Sequence, residues 1–398
     1  MNILVLNCGS SSLKYKLFEM TTYEVLAKGQ ADRIGLPGAL FTHETPGLAP
    51  VHCETPLADH AAAVSALLTH LTDARQGILA DRSDIAGVGH RVVHGGEHFR
   101  SSVVVDPAVR GLLEKTKALA PLHNPPNLMG IDVCARLMPD VPQVAVFDTA
   151  FHQTMEPRAF TYAIPYRYYA EDAVRRYGFH GTSHRYVAAR TAELLAGRSG
   201  DPRIITCHLG AGSSLCAVAK GKSRDTSMGF TPLSGVVMGT RSGDLDPAVV
   251  SFLMEKERCS IAEALDILNR QSGVFGISGV SPDFRDLEQE AARGHERARL
   301  ALDVFAYSAA RGIASLIPAA GGLDALAFTA GIGENSPVMR RRICAYFSWL
   351  GLKLDEDKNN AGGEGDIAAG ESAVRVFVVP TDEEKMIARE TEAVLKNK

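Results

Sequence analysis

Two stretches about half a chain apart share one pattern. Ile3-Leu4-Val5-Leu6 runs into Gly9-Ser10-Ser11-Ser12-Leu13, and Ile204-Ile205-Thr206-Cys207 runs into Gly210-Ala211-Gly212-Ser213-Ser214-Leu215. Each reads as a strand, a Gly-Ser turn and a second strand. A repeat at half the chain length predicts two related domains. The length agrees, since 398 residues suit two or three domains of ordinary size. Strand-length apolar runs alternate with helical stretches throughout, which predicts an α/β fold.

Helical spacing appears at Val64, Leu67, Leu68 and Leu71. A helix start is read at Pro125-Pro126, leading to Leu128, Ile131 and Leu137. The Ala-rich stretch 295–317, with Leu300, Val304, Ile313 and Leu316, predicts a long buried helix. Residues 359–371, rich in Asn, Gly, Ala and Glu, predict a surface loop.

Composition narrows the function. A net charge of -4 argues against nucleic-acid binding, so anionic ligands must be met by local Arg and Lys. Seven scattered cysteines, never spaced as CxxC, fit reduced thiols in a cytosol better than a disulfide framework or a zinc site. The start lacks a basic, long-apolar leader, and no run reaches the ~18 apolar residues of a bilayer span. A soluble cytoplasmic protein is expected.

Three Gly-rich loops follow short apolar strands: Asn7–Ser12, with Lys14 just beyond; His208–Ser214; and Ala330–Ser336 after the strand Ala325 to Thr329. Glycine lets backbone N–H groups approach an anion, and serine hydroxyls add donors. A plain hairpin turn asks for the same residues. None of the loops matches GxxxxGK[ST], which excludes a Walker-type ATPase. After the apolar run Val376–Val379, Thr381 or Asp382 is placed to cap a helix whose first turn holds Glu383 and Glu384.

Charged residues cluster in four further segments. His90-Arg91-Val92-Val93-His94-Gly95-Gly96 and Thr240-Arg241-Ser242-Gly243-Asp244 each set an arginine beside glycine. The guanidinium fork suits carboxylate and phosphate oxygens, although a surface ion pair is the commoner fate of one arginine. Asp148 follows the strand Val144–Phe147, where α/β proteins often line a cleft. His180 and His184 stand four apart in Tyr177–His184; the missing Glu after the first His argues against a zinc site there.

Read together, NCGSSSLKYKLF, VGHRVVHGGEHF, LAPLHNPPNL, VFDTAFHQTM, YGFHGTSH, CHLGAGSS, MGTRSGDLDP, FTAGIGENS and PTDEEKMIARE resemble the motifs of acetate kinases, in that family's order and over the whole chain. The resemblance implies an actin-like ATPase (ribonuclease H-like) α/β fold, two related domains around a nucleotide cleft. It implies an N-terminal domain of 1–150 plus 384–398, for acyl substrate and Mg²⁺, and a nucleotide-binding domain of 151–383. By motif, Asn7 and Glu384 resemble the Mg²⁺ site, with Mn²⁺ as an alternative ion. Arg91, His180 and Arg241 resemble the groups on the substrate carboxylate and the transferring phosphoryl, and Asp148 the residue described as catalytic acid/base. Val93, Leu122, Phe179 and Pro232 resemble the pocket for the acyl methyl. Lys14, His208, Leu209, Gly210, Ala211, Gly212, Asp283, Phe284, Arg285, Gly331, Ile332, Gly333, Glu334 and Asn335 resemble the ATP contacts. Two positions depart from the pattern: Ala211 replaces the usual Asn of HLGNG, and Pro282 a usual Ser.

The implied activity is phosphoryl transfer between ATP and acetate by a homodimer, with neither nucleic acid nor membrane as partner. An acyl carboxylate, with a pKa near that of glutamate (about 4.3), is already ionised at neutral pH and needs no general base. Asp148 is therefore expected to orient an arginine or the metal's waters, not to carry a proton. Propionate, butyrate and pyrophosphate remain alternatives within the class, and a nucleotide-gated binding module is the alternative outside it.

Overall fold

The computed structural model describes residues 1–73, 77–121, 123–195 and 200–397. The chain divides into two compact units, Met1–Phe151 with Asp382–Lys398, and His152–Thr381.

The first unit is built on an eight-stranded sheet. Its strands are β1 (Asn2–Cys8), β2 (Ser12–Glu19), β3 (Glu24–Asp32), β4 (Leu40–Glu44), β5 (Val51–Glu54), β6 (Ile85–Val92), β7 (Val103–Val104) and β8 (Gln143–Phe147), in the order β5-β4-β3-β2-β1-β6-β8-β7. β1, β6 and β8 run parallel to one another, and β1–β2–β3 is an antiparallel meander. Both faces of the central strands are buried, which explains their nearly unbroken apolar runs. Helices His60–Leu71 and Asn124–Leu137 cover one face, with Leu4, Leu6, Leu17, Leu67, Leu68 and Val88 between them and the sheet. The C-terminal helix, Glu383–Lys396, covers the other, with Ile387 and Ala388 against Ile3, Val5 and Val146.

That second contact explains two glycines of β6. A Cβ on Gly89 would collide with Thr391 and Ile387, and one on Gly87 with Leu395. Gly89→Ala should therefore destabilise the protein by about 1–3 kcal/mol, the usual cost of overpacking. Urea denaturation checks this, with an unchanged slope expected.

The second unit carries β9 (Ile204–Leu209), β10 (Ser213–Ala219), β11 (Lys222–Thr226), β12 (Ala325–Thr329), β13 (Gly365–Asp366) and β14 (Arg375–Val378), in the order β11-β10-β9-β12-β14-β13. The run β3-β2-β1-β6-β8 of the first unit matches β11-β10-β9-β12-β14 of the second, strand for strand and direction for direction. The half-chain repeat is thus a repeat of topology.

Three expectations need correction. Helix Glu296–Ala320 forms, but Leu300 is 52% exposed; the buried stripe is Ala298, Ala301, Leu302, Phe305, Ala306, Ala309, Ala310, Ile313 and Leu316. Small alanines let the helix lie close to the sheet, so they, and not the leucine, face inward. This is also the one helix, among the described residues, long and apolar enough to cross a membrane, against the expectation of none. Its inward stripe belongs to the core of the unit. Finally, 359–371 is no simple surface loop: Asn359 is fully buried, Gly365–Asp366 forms an edge strand, and Ile367 and Ala368 join the core.

Candidate active site

In the first unit, side-chain alternation sorts the candidates. Val5 pairs with Gly89 and Lys16, Asn7 with Lys14, and Arg91 with Val146. Asn7, Lys14, Lys16 and Arg91 therefore share the sheet face covered by the C-terminal helix. Asp148, two residues beyond Val146, lies just past the end of the neighbouring strand. Asn7, Arg91 and Asp148 gather at the carboxyl ends of three parallel strands, the usual ligand edge of such a sheet. The helix brings its N-terminus there: Asp382 caps it through the Lys385 amide at 3.0 Å, and Glu384 Oε2 lies 3.4 Å from Lys16 Nζ.

Arg91 grips Asp148 with two prongs, Nε to Oδ1 at 3.0 Å and Nη2 to Oδ2 at 2.7 Å. The carboxylate is 2% exposed and the guanidinium 23%. Asp148's charge raises the Arg91 pKa despite burial, so this cation is permanent. Glu383 is raised above the ordinary carboxylate range by burial, with Arg91 opposing.

The loops carrying these groups are held by residues whose roles the sequence did not disclose. Asn127 accepts from the Val93 amide at 3.1 Å and donates to the Cys8 carbonyl at 2.8 Å. Asn124 accepts from the His94 amide at 3.0 Å and donates to the His94 carbonyl at 2.8 Å. The first turn of Asn124–Leu137 thus fixes the ends of both β1 and β6. The spacing Asn-Pro-Pro-Asn was the available signal. His60 Nε2 adds a 2.8 Å contact to the Gly9 carbonyl. Val93 sits in this unit; Leu122 lies outside the described residues.

In the second unit, His180 stands at the N-cap position of helix Gly181–Leu194 with a left-handed backbone (φ 56°), and its ring stacks on His208, centroids 4.1 Å apart. A Cβ on Gly212 would lie 3.3 Å from Arg241 Nη1 and 3.6 Å from His180 Cε1, so the guanidinium and the imidazole both flank that glycine. Arg241 Nη1 donates to the Pro232 carbonyl at 3.4 Å. Within this unit, among the described residues, no carboxylate pairs with Arg241, and burial lowers its pKa. It keeps its charge, as guanidinium groups do in proteins. Phe179 is buried, its carbonyl 3.0 Å from His152 Nε2.

A cavity of about 540 Å³ opens beside this loop. Gly210, Ala211, Asp283, Phe284, Arg285, Gly331, Ile332 and Asn335 all line it. So do Pro282, Ser336 and Glu288, of which the last was not singled out from the sequence. His208, Leu209, Gly212, Gly333 and Glu334 are not part of that lining, and Lys14 belongs to the first unit. Glu334 is engaged internally, accepting from the Ala330 amide at 2.7 Å and the Thr381 amide at 3.1 Å.

Arg340 supports the cavity wall from beneath and is almost wholly buried. Its Nη1 donates to the carbonyls of Gly333 and Glu334, both at 2.9 Å, and Nη2 to the Asn359 carbonyl at 2.6 Å. These include orphan carbonyls at the C-terminal end of helix Ala330–Asn335. Arg340→Leu should lower stability by about 2–4 kcal/mol through unmatched carbonyls and, by loosening the cavity wall, raise the KM of a ligand held there more than it lowers kcat. Denaturant titration and steady-state kinetics on one preparation check both.

Oxygen donors and fixed cations at the strand ends of the first unit suit an anionic ligand, and so do the glycine-rich cavity, the arginine and the imidazole of the second. A profile of the Acetokinase family matches residues 2–389. The chain belongs to the acetokinase family. It is 54% identical to the acetate kinase of Natranaerobius thermophilus over 396 residues, covering 99% of this chain and all of that one. Among solved structures, an acetate kinase from Porphyromonas gingivalis superposes with a TM-score of 0.94 at 46% identity, covering 99% of each chain. A propionate kinase from Francisella tularensis gives 0.92 at 40%, again over 99% of each. The chain accordingly shares the mixed α/β fold of these acetokinase structures.

The donor chemistry of Asn7 and Glu384 fits the family's Mg²⁺: both offer hard oxygen atoms, and they lie on one sheet face. Among the described residues no group of three His, Cys, Asp or Glu forms a metal cluster.

Proposed function

We propose that this chain transfers the terminal phosphoryl group of ATP directly to acetate, reversibly, giving acetyl phosphate and ADP. The observation that carries the reading is the placement of Arg241 and His180 together beside Gly212, in the loop whose neighbours line the cavity.

Acetate arrives ionised, so the obstacle is charge: an anion must approach a polyanion. Arg91 is assigned to the acyl carboxylate, with Asp148 locking its fork in orientation and transferring no proton. Arg241 and His180 are assigned to the oxygens of the transferring phosphoryl, where preorganised donors act without rearrangement during in-line attack. Val93, Leu122, Phe179 and Pro232 are assigned to the methyl group. The Gly210–Gly212, Asp283–Arg285 and Gly331–Asn335 stretches are assigned to the nucleotide, and Lys14 to its phosphates. Asn7 and Glu384 would hold Mg²⁺, which when bound offsets phosphate charge. The division of labour is acyl and metal groups on 1–150 with 384–398, and nucleotide groups on 151–383. A cytoplasmic homodimer belongs to the same reading.

One methylene in an apolar pocket is worth only ~1–3 kcal/mol, so acetate and propionate must be separated by rate. A coupled assay for ADP tests the reading across acetate, propionate and butyrate, with pyrophosphate replacing ATP in parallel. Acetate-dependent ADP formation supports it; turnover with pyrophosphate alone contradicts it.

A further inference from the structure

His180 touches a buried relay that nothing above has used. Its Nδ1 lies 2.8 Å from Ser214 Oγ, and the same oxygen lies 2.7 Å from His184 Nε2. His184 Nδ1 in turn lies 2.7 Å from Thr206 Oγ1. Ser214, His184 and Thr206 are all fully buried. Burial, ahead of the neighbouring His152 and His208, holds the His184 pKa well below the usual imidazole value, so its ring is neutral.

Counting protons then constrains the whole chain. A hydroxyl has one proton to give, so Ser214 can donate to only one of its two imidazoles and must accept from the other. A neutral imidazole donates from one nitrogen and accepts at the other. The direction is set from the His180 end. A neutral ring that donates from Nε2 to a phosphoryl oxygen must accept at Nδ1, so Ser214 donates to it and accepts from His184 Nε2. His184 Nδ1 is then an acceptor, and the Thr206 hydroxyl turns to it at 2.7 Å, away from the Cys216 carbonyl at 3.4 Å.

We infer that Thr206, His184 and Ser214 form a one-way hydrogen-bond relay that fixes His180 as the Nε2–H tautomer. The neutral ring then presents a donor and needs no protonation to act. Two neighbours also favour an uncharged ring: the positive end of helix Gly181–Leu194, and the Arg241 guanidinium that shares the side of Gly212 with it. Ser214, His184 and Thr206 are positioning residues in this account. The relay rests on the reading that His180 donates to the transferring phosphoryl.

Long-range nitrogen–proton NMR on the ¹⁵N-histidine-labelled full-length protein tests it, with the His180 signals assigned by their loss in His180→Gln. The expected pattern is a protonated Nε2 and an unprotonated, hydrogen-bonded Nδ1 for both His180 and His184. A proton on His180 Nδ1 overturns the relay. Kinetics add a second arm. Ser214→Ala should lower kcat about tenfold, less than the ~10²- to 10⁴-fold a positioned proton donor itself contributes because the ring stays in place, with KM for ATP unmoved; Ser214→Thr, which restores the hydroxyl, should recover most of it. Thr206→Val, nearly isosteric, should alter the tautomer pattern of both rings. Unchanged patterns in Thr206→Val and Ser214→Ala would also overturn the relay. If His180→Gln keeps full acetyl phosphate formation, the functional reading fails while the tautomer result stands.

Discussion

Replacing Arg241 with leucine should reduce kcat by about 10²- to 10³-fold, the range seen when one preorganised donor to a transition-state oxygen is removed. The KM for ATP should move little, because the cavity that would hold the nucleotide is lined by Gly210, Asp283–Arg285, Gly331, Ile332 and Asn335, and not by Arg241. Within its unit, among the described residues, Arg241 donates only to the Pro232 carbonyl and weakly to Met238 sulfur. Its charge is thus not committed there to a carboxylate, and its loss breaks no ion pair in that unit. The fold should survive, which separates a catalytic defect from an unfolding one. Steady-state kinetics with a thermal melt decide the matter. A variant with normal kcat would remove Arg241 from the phosphoryl.

The second large effect is expected at Asp148. Its two oxygens match the Arg91 fork, and asparagine can match only one of them while turning an N–H toward the guanidinium. Asp148→Asn should therefore lower kcat/KM for acetate about 100-fold through a misaligned Arg91, a displacement effect of the size positioning errors produce. Stability should fall as well, by about 1–3 kcal/mol. That is less than a fully buried pair loses, because Arg91 remains 23% exposed. Near-normal acetate kinetics in this variant would remove Asp148 from any role in orienting Arg91.

Local signals were legible where the chain's own spacing carries them. The strand preceding Asp148, the hairpin from Ile3 to Phe18 and the helix after Pro125-Pro126 announce themselves by apolar runs and turn residues, and all three form. The topological repeat was legible because Gly-Ser turns must recur wherever the same hairpin does. What stayed hidden are pairings between distant residues. Nothing near Arg340 names Asn359 as its partner, and nothing near Asn124 names His94. Leu300 misled because hydrophobicity alone does not say which face of an Ala-rich helix meets the sheet. The relay through Ser214 was equally unreadable: it joins a helix N-terminus to two strands, and only the fold brings those hydroxyls and imidazoles within hydrogen-bonding reach.

The central claim is that one terminal phosphoryl passes from ATP to the carboxylate of a small acid. Trapping with hydroxylamine measures it directly, since an acyl phosphate yields a coloured acyl hydroxamate. With ATP, Mg²⁺ and acetate, hydroxamate should accumulate in step with ADP and fall at least 100-fold in Arg241→Leu. ADP released without hydroxamate, at a rate indifferent to acetate, would contradict the account.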